Sequence, residues 1–68
     1  MQEFHIRLRS IRMEKKKTQK QTAEVLGMNL RSYQLYEQGT VEPNIKKLLT
    51  LADFFDVSLD YLMGRTDS

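Results

Sequence analysis

Apolar residues recur at three- and four-residue spacing along most of the chain. Phe4, Leu8 and Ile11 follow this spacing, which predicts a first helix over about residues 3–14. The same pattern and its interruptions predict four further helices, over about 19–26, over about 30–37, after Asn44, and after Ser58 as far as Gly64. No segment alternates in the manner of a half-buried strand. The pattern therefore predicts an all-α fold, a compact domain of five short helices.

One apolar face on each helix defines the expected core. In the fourth helix this face consists of Ile45, Leu48, Leu49, Ala52 and Phe55. The other side chains expected in the core are Phe4, Leu8, Ile11, Ala23, Leu26, Met28, Tyr33, Tyr36, Val57, Leu59 and Leu62. Phe54 falls outside the predicted face of its helix. It either covers the first helix or contributes, with the fifth helix, to a dimer surface.

The segment 18–39 carries the most specific local signals. Thr18 and Gln21 have the spacing of a capping box, which predicts the start of the second helix. Gly27 stands where a helix commonly ends in a left-handed residue. Asn29 is a preferred cap and predicts the start of the third helix. Two short helices joined by so tight a turn are typical of a helix–turn–helix.

The third helix is predicted to present a contact face. Tyr33 and Tyr36 lie three residues apart and are expected to face the core. The positions left pointing outward are Leu30, Arg31, Gln34 and Leu35. Because the exposed front of such a helix reads base edges in the major groove, this face is a candidate DNA-contact surface.

Composition narrows the class of protein. The chain has 68 residues, enough for one domain at most. It has no cysteine for disulfides or thiolate zinc sites, and its single histidine, His5, cannot hold a metal alone. We therefore predict no metal site and no cofactor. Its apolar runs are far shorter than the ~20 residues that span a bilayer, and its N-terminus lacks the apolar stretch of a signal peptide. We expect a small soluble cytoplasmic protein with no membrane partner.

Charge is distributed unevenly, although the net charge is only +2. Residues 1–41 carry eight basic and four acidic side chains, whereas residues 42–68 carry three basic and five acidic ones. A basic half of this kind suits a face that meets a polyanion such as nucleic acid. An ordinary mixed surface is the alternative, and charge alone does not separate the two.

Several motifs occur in a characteristic order along the chain. They are RLRSIR at 7–12, TQ at 18–19, A-x-x-LG at 23–27, SYQLYEQG at 32–39, PN at 43–44 and VSLDYLMG at 57–64. Together they resemble the Cro/CI-like (XRE-type) family of helix-turn-helix transcription regulators. The resemblance implies a lambda-repressor-like DNA-binding domain at residues 1–64, followed by a polar tail at 65–68. It also implies that the third helix docks in the major groove of double-stranded DNA, usually in a homodimer.

The chain departs from the usual pattern of that family at several positions. Thr22 stands where leucine is common, and Asp56 replaces a frequent glycine, although aspartate tolerates the left-handed conformation better than most residues. Leu30 and Leu35 occupy positions that are often polar or basic. Glu42 puts a negative charge in a loop that the family runs near phosphates. The departures leave the predicted fold in place and bear on the details of DNA contact.

Phosphate contacts are expected around the start of the second helix. The family uses a glutamine at the position of Gln19 to bind a phosphate, and helix N-termini favour anions; the alternative for Gln19 is an ordinary first-turn residue. Arg12 on the first helix either joins this phosphate or pairs with an acidic side chain. The full set of expected phosphate-binding residues is Arg12, Lys17, Gln19, Lys20, Gln34, Gln38 and Thr40.

Base reading is expected from the third helix, through Leu30, Arg31, Ser32 and Leu35. The Arg31 guanidinium can bond O6 and N7 of guanine together; the alternatives are a phosphate contact or a solvated arginine. The two leucines fit contact with thymine methyl groups, or else a protein-binding patch.

We consider three classes of function for this chain, of which the patterns favour the first. The first is a sequence-specific DNA-binding regulator, in particular a repressor of a phage or prophage, a mobile element or a small operon. The alternative is a protein-interaction module, such as an antitoxin that uses the same fold to bind a partner protein. An enzyme is not favoured, because His5 has no evident catalytic partner and a chain this short leaves little room for a closed pocket.

Overall fold

Five α-helices make up most of residues 3–65, the part of the chain that the computed structural model describes. They are α1 (Phe4–Glu14), α2 (Gln19–Val25), α3 (Leu30–Gln38), α4 (Ile45–Phe55) and α5 (Leu59–Leu62). The all-α prediction is confirmed, and α1 to α3 begin and end within one residue of the predicted bounds. The predicted tail at 65–68 lies outside the described residues, apart from Arg65.

Short polar side chains start four of these helices. The Thr18 hydroxyl accepts a bond from the backbone N–H of Gln21, and the Gln21 side-chain oxygen accepts one from the backbone N–H of Thr18, both at 2.9 Å. The predicted capping box is therefore confirmed. The side chains of Asn29, Asn44 and Ser58 cap α3, α4 and α5 by accepting from the N–H three residues further on. Each such cap contributes about 0.5–2 kcal/mol, so these helix boundaries are encoded locally.

The core lies between the inward faces of the helices. In α3, the rings of Tyr33 and Tyr36 pack edge to face, with centroids 6.1 Å apart and planes at 85°. The buried apolar residues are Leu8, Ile11, Ala23, Leu26, Tyr33, Tyr36, Leu51, Ala52, Phe55 and Leu62. Other predicted core residues are half-buried and pack against this cluster, namely Phe4, Met28, Leu48, Val57 and Leu59.

The rotation of α4 differs from the prediction. Ile45 and Leu49 were expected in the core, but their side chains are 61% and 49% exposed, whereas Leu51 is fully buried. That part of the prediction is wrong. The segment IKKLLTLADFF is so apolar that two faces satisfy helical spacing. Packing against α2 and α5 selects the face that runs through Leu51 and Phe55.

Cations on aromatic rings join distant parts of the chain. The Arg7 guanidinium lies 4.5 Å from the ring centroid of Tyr61, and its Nε donates to the Tyr61 carbonyl oxygen at 2.5 Å, which ties α1 to α5. The Lys17 Nζ lies 5.2 Å from the ring centroid of Phe54. Phe54 is half-buried and packs against the core, beside the turn that follows α1. No helix within residues 3–65 is long and apolar enough to cross a membrane.

The C-terminal end of α3 packs closely against α1. Gly39 ends α3 with a left-handed φ of +79°. A Cβ atom at this position would lie 2.8 Å from Nδ1 of His5, so the imidazole occupies the space that any other side chain would need. Gly27, in the turn between α2 and α3, has a similar φ of +70°, but no heavy atom lies within 4 Å of its potential Cβ.

Replacing Gly39 with alanine is expected to lower the free energy of unfolding more than replacing Gly27 with alanine. Both changes place a Cβ in the left-handed region, at a cost of about 1–2 kcal/mol, but only the change at Gly39 forces the His5 ring to move. Urea unfolding of the two variants measures the difference. Equal losses would show that the ring moves aside freely.

Candidate nucleic-acid interface

The first turn of α3 is presented on the surface. It begins after the turn 26–29, in which Gly27 adopts its left-handed conformation. Leu30 is 40% exposed, and Arg31 is also exposed. Ser32 and Leu35, the other two predicted base-reading residues, are half-buried. The predicted readers therefore lie together on one helix, with the largest exposed side chains at its N-terminal end.

A hydrogen-bonded relay holds α3 to the start of α2. The Gln34 side-chain nitrogen donates to the side-chain oxygen of Gln19 at 3.1 Å, and the Gln19 nitrogen donates to Oε1 of Glu37 at 3.1 Å. Because a carboxylate only accepts, the orientation of both amides is determined. Each amide nitrogen carries two hydrogens, so each keeps one N–H beyond the bond in this relay.

The relay ends on a buried carboxylate. The Glu37 side chain is 4% exposed, and it accepts from Nε of Arg12 at 2.6 Å, from Nη2 of Arg12 at 3.3 Å, from the Tyr33 hydroxyl and from Gln19. Burial raises the pKa of Glu37, but the hydrogen bonds from Arg12, Tyr33 and Gln19 outweigh it and hold this pKa below its usual value. Within residues 3–65, every buried side-chain nitrogen or oxygen has a hydrogen-bond partner.

Arg12 is one of the predicted phosphate-binding residues, with pairing to an acid as its alternative. Its side chain is only 12% exposed. The guanidinium holds the Glu37 carboxylate through two nitrogens, and Nη1 donates to the Lys17 carbonyl oxygen at 2.7 Å. The structure thus places Arg12 in an ion pair behind Gln19, whereas contact with phosphate stays a prediction.

A polar groove opens beside the relay, between α1 and α3. It has a volume of about 400 Å³ and is lined by Arg9, Arg12, Gln19, Gln34, Glu37 and Gln38. The remaining predicted phosphate residues lie apart from the groove. Lys20 and Thr40 are exposed, and the Lys17 ammonium lies over Phe54.

Two residues of this site, Glu37 and Arg9, were absent from the predicted set. Glu37 lies four residues after the inward-facing Tyr33 and shares its face of α3, so its burial and its need for a cation were detectable in principle. Arg9 gave no comparable signal. It lines the groove because α1 packs against α3, which is a property of the tertiary structure. The described residues contain no group of histidine and acidic side chains that could hold a metal ion.

Two short helices joined by a tight turn, with one face of the second helix presented to solvent, define a helix–turn–helix protein. The sequence profile of the Helix-turn-helix family matches residues 8–62, and the chain belongs to this family. It is a family of transcription regulators of the Cro/CI-like type rather than of enzymes.

Individual relatives agree with this assignment. The uncharacterized HTH-type transcriptional regulator YobD of Bacillus subtilis is 44% identical over 61 residues, which cover 90% of this chain and 54% of that protein. YqaE, another uncharacterized HTH-type transcriptional regulator of that bacterium, is 42% identical over 88% of this chain and 52% of its own length. The cryptic phage CTXphi transcriptional repressor RstR of Vibrio cholerae is 43% identical over 72% of this chain and 44% of its own length.

The chain spans about half the length of the curated relatives that it matches. No solved structure matches it significantly.

Proposed function

We propose that this chain binds double-stranded DNA sequence-specifically as a cytoplasmic transcriptional regulator, with α3 in the major groove and residues 1–64 as the DNA-binding domain. One observation carries the proposal. The first turn of α3 exposes Leu30 and Arg31, while Glu37, at the far end of the helix, is held to α1 and α2. A reading helix needs one free face and rigid support behind it.

The relatives support a transcriptional regulator, and one of them, RstR, supports a repressor in particular. YobD and YqaE are named as HTH-type transcriptional regulators, and RstR is named as a phage transcriptional repressor. Because the match is confined to about half of each relative, it supports the role of the shared domain more directly than any role of the remaining half. We therefore propose repression through DNA binding, in a prophage or a similar setting.

Phosphate binding in this proposal relies mainly on neutral donors. The spare amide N–H groups of Gln19 and Gln34 are fixed in direction by the relay, so little side-chain freedom is lost when they donate to DNA. Gln38 lines the groove with them, and the exposed Lys20 and Thr40, which lie outside the groove lining, complete the set. Arg12 acts through Glu37, which positions Gln19, and Lys17 contributes its charge at the edge of the interface.

The first turn of α3 is proposed to read the bases. Arg31 donates to O6 and N7 of guanine, and Leu30 contacts a thymine methyl group. Ser32 and Leu35, both half-buried, follow along the same helix and read the adjoining bases. The apolar residues make part of the readout depend on methyl groups rather than on hydrogen bonds.

We propose that the protein binds as a homodimer. A single module buries about 600–1,000 Å² of protein surface on DNA, whereas two modules on half-sites one helical turn apart read a longer sequence. Exposed Ile45 and Leu49 on α4 support a dimer surface at that helix. Phe54, the other candidate from the sequence, lies beneath the Lys17 ammonium and is less accessible to a second copy.

Selection from random duplex DNA at near-physiological salt tests the proposal, followed by measurement of affinity against salt concentration. Recovery of a paired, roughly palindromic site is the expected result. If a folded protein enriches no sequence, the proposal fails. The alternative of a protein partner bound at Leu30 and Leu35 then takes its place, to be tested by alanine variants of the two leucines.

Replacing Arg31 with alanine is expected to relax the preference at one base pair and to weaken binding to the selected site by about 1–3 kcal/mol, because a bidentate bond to guanine is lost. The Arg31→Lys variant is the matched control, since it keeps the charge but loses the fork geometry. Competition binding against a panel of single-base variants measures both. Full specificity in Arg31→Lys would assign Arg31 to a phosphate.

A further inference from the structure

Arg9 lies on the wall of the polar groove without any role assigned to it so far. It precedes Arg12 by three residues on α1, so the two side chains leave neighbouring positions of one helical face. Arg9 is exposed and lines the groove together with Gln19, Gln34 and Gln38. Arg9 therefore adds a donor from α1 to the amide donors of Gln19, Gln34 and Gln38, which are already proposed to contact phosphate.

Arg9 is the source of positive potential in the groove, because the other charged residues that line it neutralise each other. The Arg12 guanidinium and the Glu37 carboxylate form a buried pair and offset each other. Among the residues the structure describes, the only acidic side chain on the groove wall is Glu37, and it is occupied by four donors. An anion in the groove thus meets one guanidinium and several amide N–H groups, which is a suitable set of donors for a phosphate.

We propose that Arg9 binds a DNA backbone phosphate in this groove, beside the phosphate assigned to Gln19. The proposal rests on the proposed DNA-binding function. Gln34 and Gln38 belong to α3, the helix proposed to lie in the major groove of DNA. The DNA strand at the edge of that major groove therefore passes over the polar groove of the protein, between α3 and α1. Arg9 then extends the interface from α2 and α3 to α1, by one phosphate for each copy of the protein.

The test is the Arg9→Gln variant, with affinity measured against salt concentration on the selected site and on an unrelated duplex. A phosphate contact carries no sequence information, so affinity for both duplexes should fall by the same factor. The slope of log K against log salt should decrease by about one unit for each phosphate that the variant no longer neutralises. Arg9→Lys should recover most of the slope, because the charge is kept.

Two controls separate this inference from the function on which it rests. Arg65→Gln removes an exposed arginine beyond the end of α5 and should leave the slope unchanged. Thermal unfolding of Arg9→Gln should match that of the wild type, because the Arg9 side chain is exposed.

Three results would overturn the assignment. An unchanged salt slope in Arg9→Gln would remove Arg9 from the interface, even though the wild type binds DNA. A loss of affinity confined to the selected site would assign Arg9 to base reading instead. If the wild-type protein binds neither duplex, the proposed function itself fails, and that result is visible before any variant is made.

Discussion

Replacing Glu37 with alanine is expected to lower the free energy of unfolding by up to about 3–5 kcal/mol, because the change removes a buried carboxylate and leaves the half-buried Arg12 guanidinium without its counter-charge. The Arg12 side chain is 12% exposed and cannot turn to solvent without breaking its bond to the Lys17 carbonyl. The Tyr33 hydroxyl and the Gln19 amide lose an acceptor at the same time. For a domain of 68 residues such a loss approaches the whole of its stability. Urea unfolding followed by circular dichroism measures it.

Matched variants show whether the loss of stability comes from breaking the Arg12–Glu37 ion pair or merely from removing a carboxylate. Glu24→Ala removes an exposed carboxylate on α2 and should change stability by less than about 0.5 kcal/mol. The double change Arg12→Met, Glu37→Leu removes both charges and should recover much of the loss, because no unpaired buried charge remains. A loss below about 1 kcal/mol in Glu37→Ala would mean that solvent reaches Arg12 readily.

The same ion pair makes stability depend on pH in a defined direction. The pKa of Glu37 in the folded protein lies below its ordinary value, because the hydrogen bonds from Arg12, Tyr33 and Gln19 outweigh burial. Its contribution to stability is therefore fully present above the unfolded-state pKa and is lost as pH falls through the folded-state pKa. The difference in stability between wild type and Glu37→Gln should accordingly shrink on acidification. If the difference in stability did not change with pH, the Glu37 side chain would stabilise the fold through its packing rather than through its charge.

Leu51→Ala is expected to cost about 2–5 kcal/mol of unfolding free energy, whereas Leu49→Ala should change it by less than about 0.5 kcal/mol. Leu51 is fully buried and its removal leaves a cavity, but Leu49 is 49% exposed. The two residues have the same chemistry, lie two positions apart and belong to one helix, so the pair reports the rotation of α4. A larger loss from Leu49→Ala than from Leu51→Ala would show that α4 uses the face expected from the sequence.

The Leu49 variant also bears on assembly. If Ile45 and Leu49 form the proposed dimer surface, Leu49→Ala should weaken binding to a palindromic site while leaving the stability of the monomer intact. Analytical ultracentrifugation of wild type and variant reports the oligomeric state directly. The Leu51 variant cannot serve for this purpose, because it destabilises the fold itself.

Helix boundaries in this protein were predictable because their signals are local. The bonds made by Thr18, Asn29, Asn44 and Ser58 each span three residues, so the residue types alone identify them. The left-handed turns at Gly27 and Gly39 are of the same kind. These signals suffice for the starts of α2 to α5 and for the helix–turn–helix. The inward face of α3 follows from the spacing of Tyr33 and Tyr36.

The other features of the site and the core could be seen only in the packed structure. Arg12 and Glu37 are 25 residues apart, and no local pattern states which acid a given arginine meets. The groove wall at Arg9 exists only where α1 and α3 pack together. The face that α4 buries was ambiguous, because apolar residues surround much of that helix and helical spacing admits two rotations. The sequence by itself thus determined the helices, their caps and the exposed first turn of α3. Tertiary packing decided which side of α4 is buried and which charges are paired, since both depend on surfaces that meet only after the helices assemble.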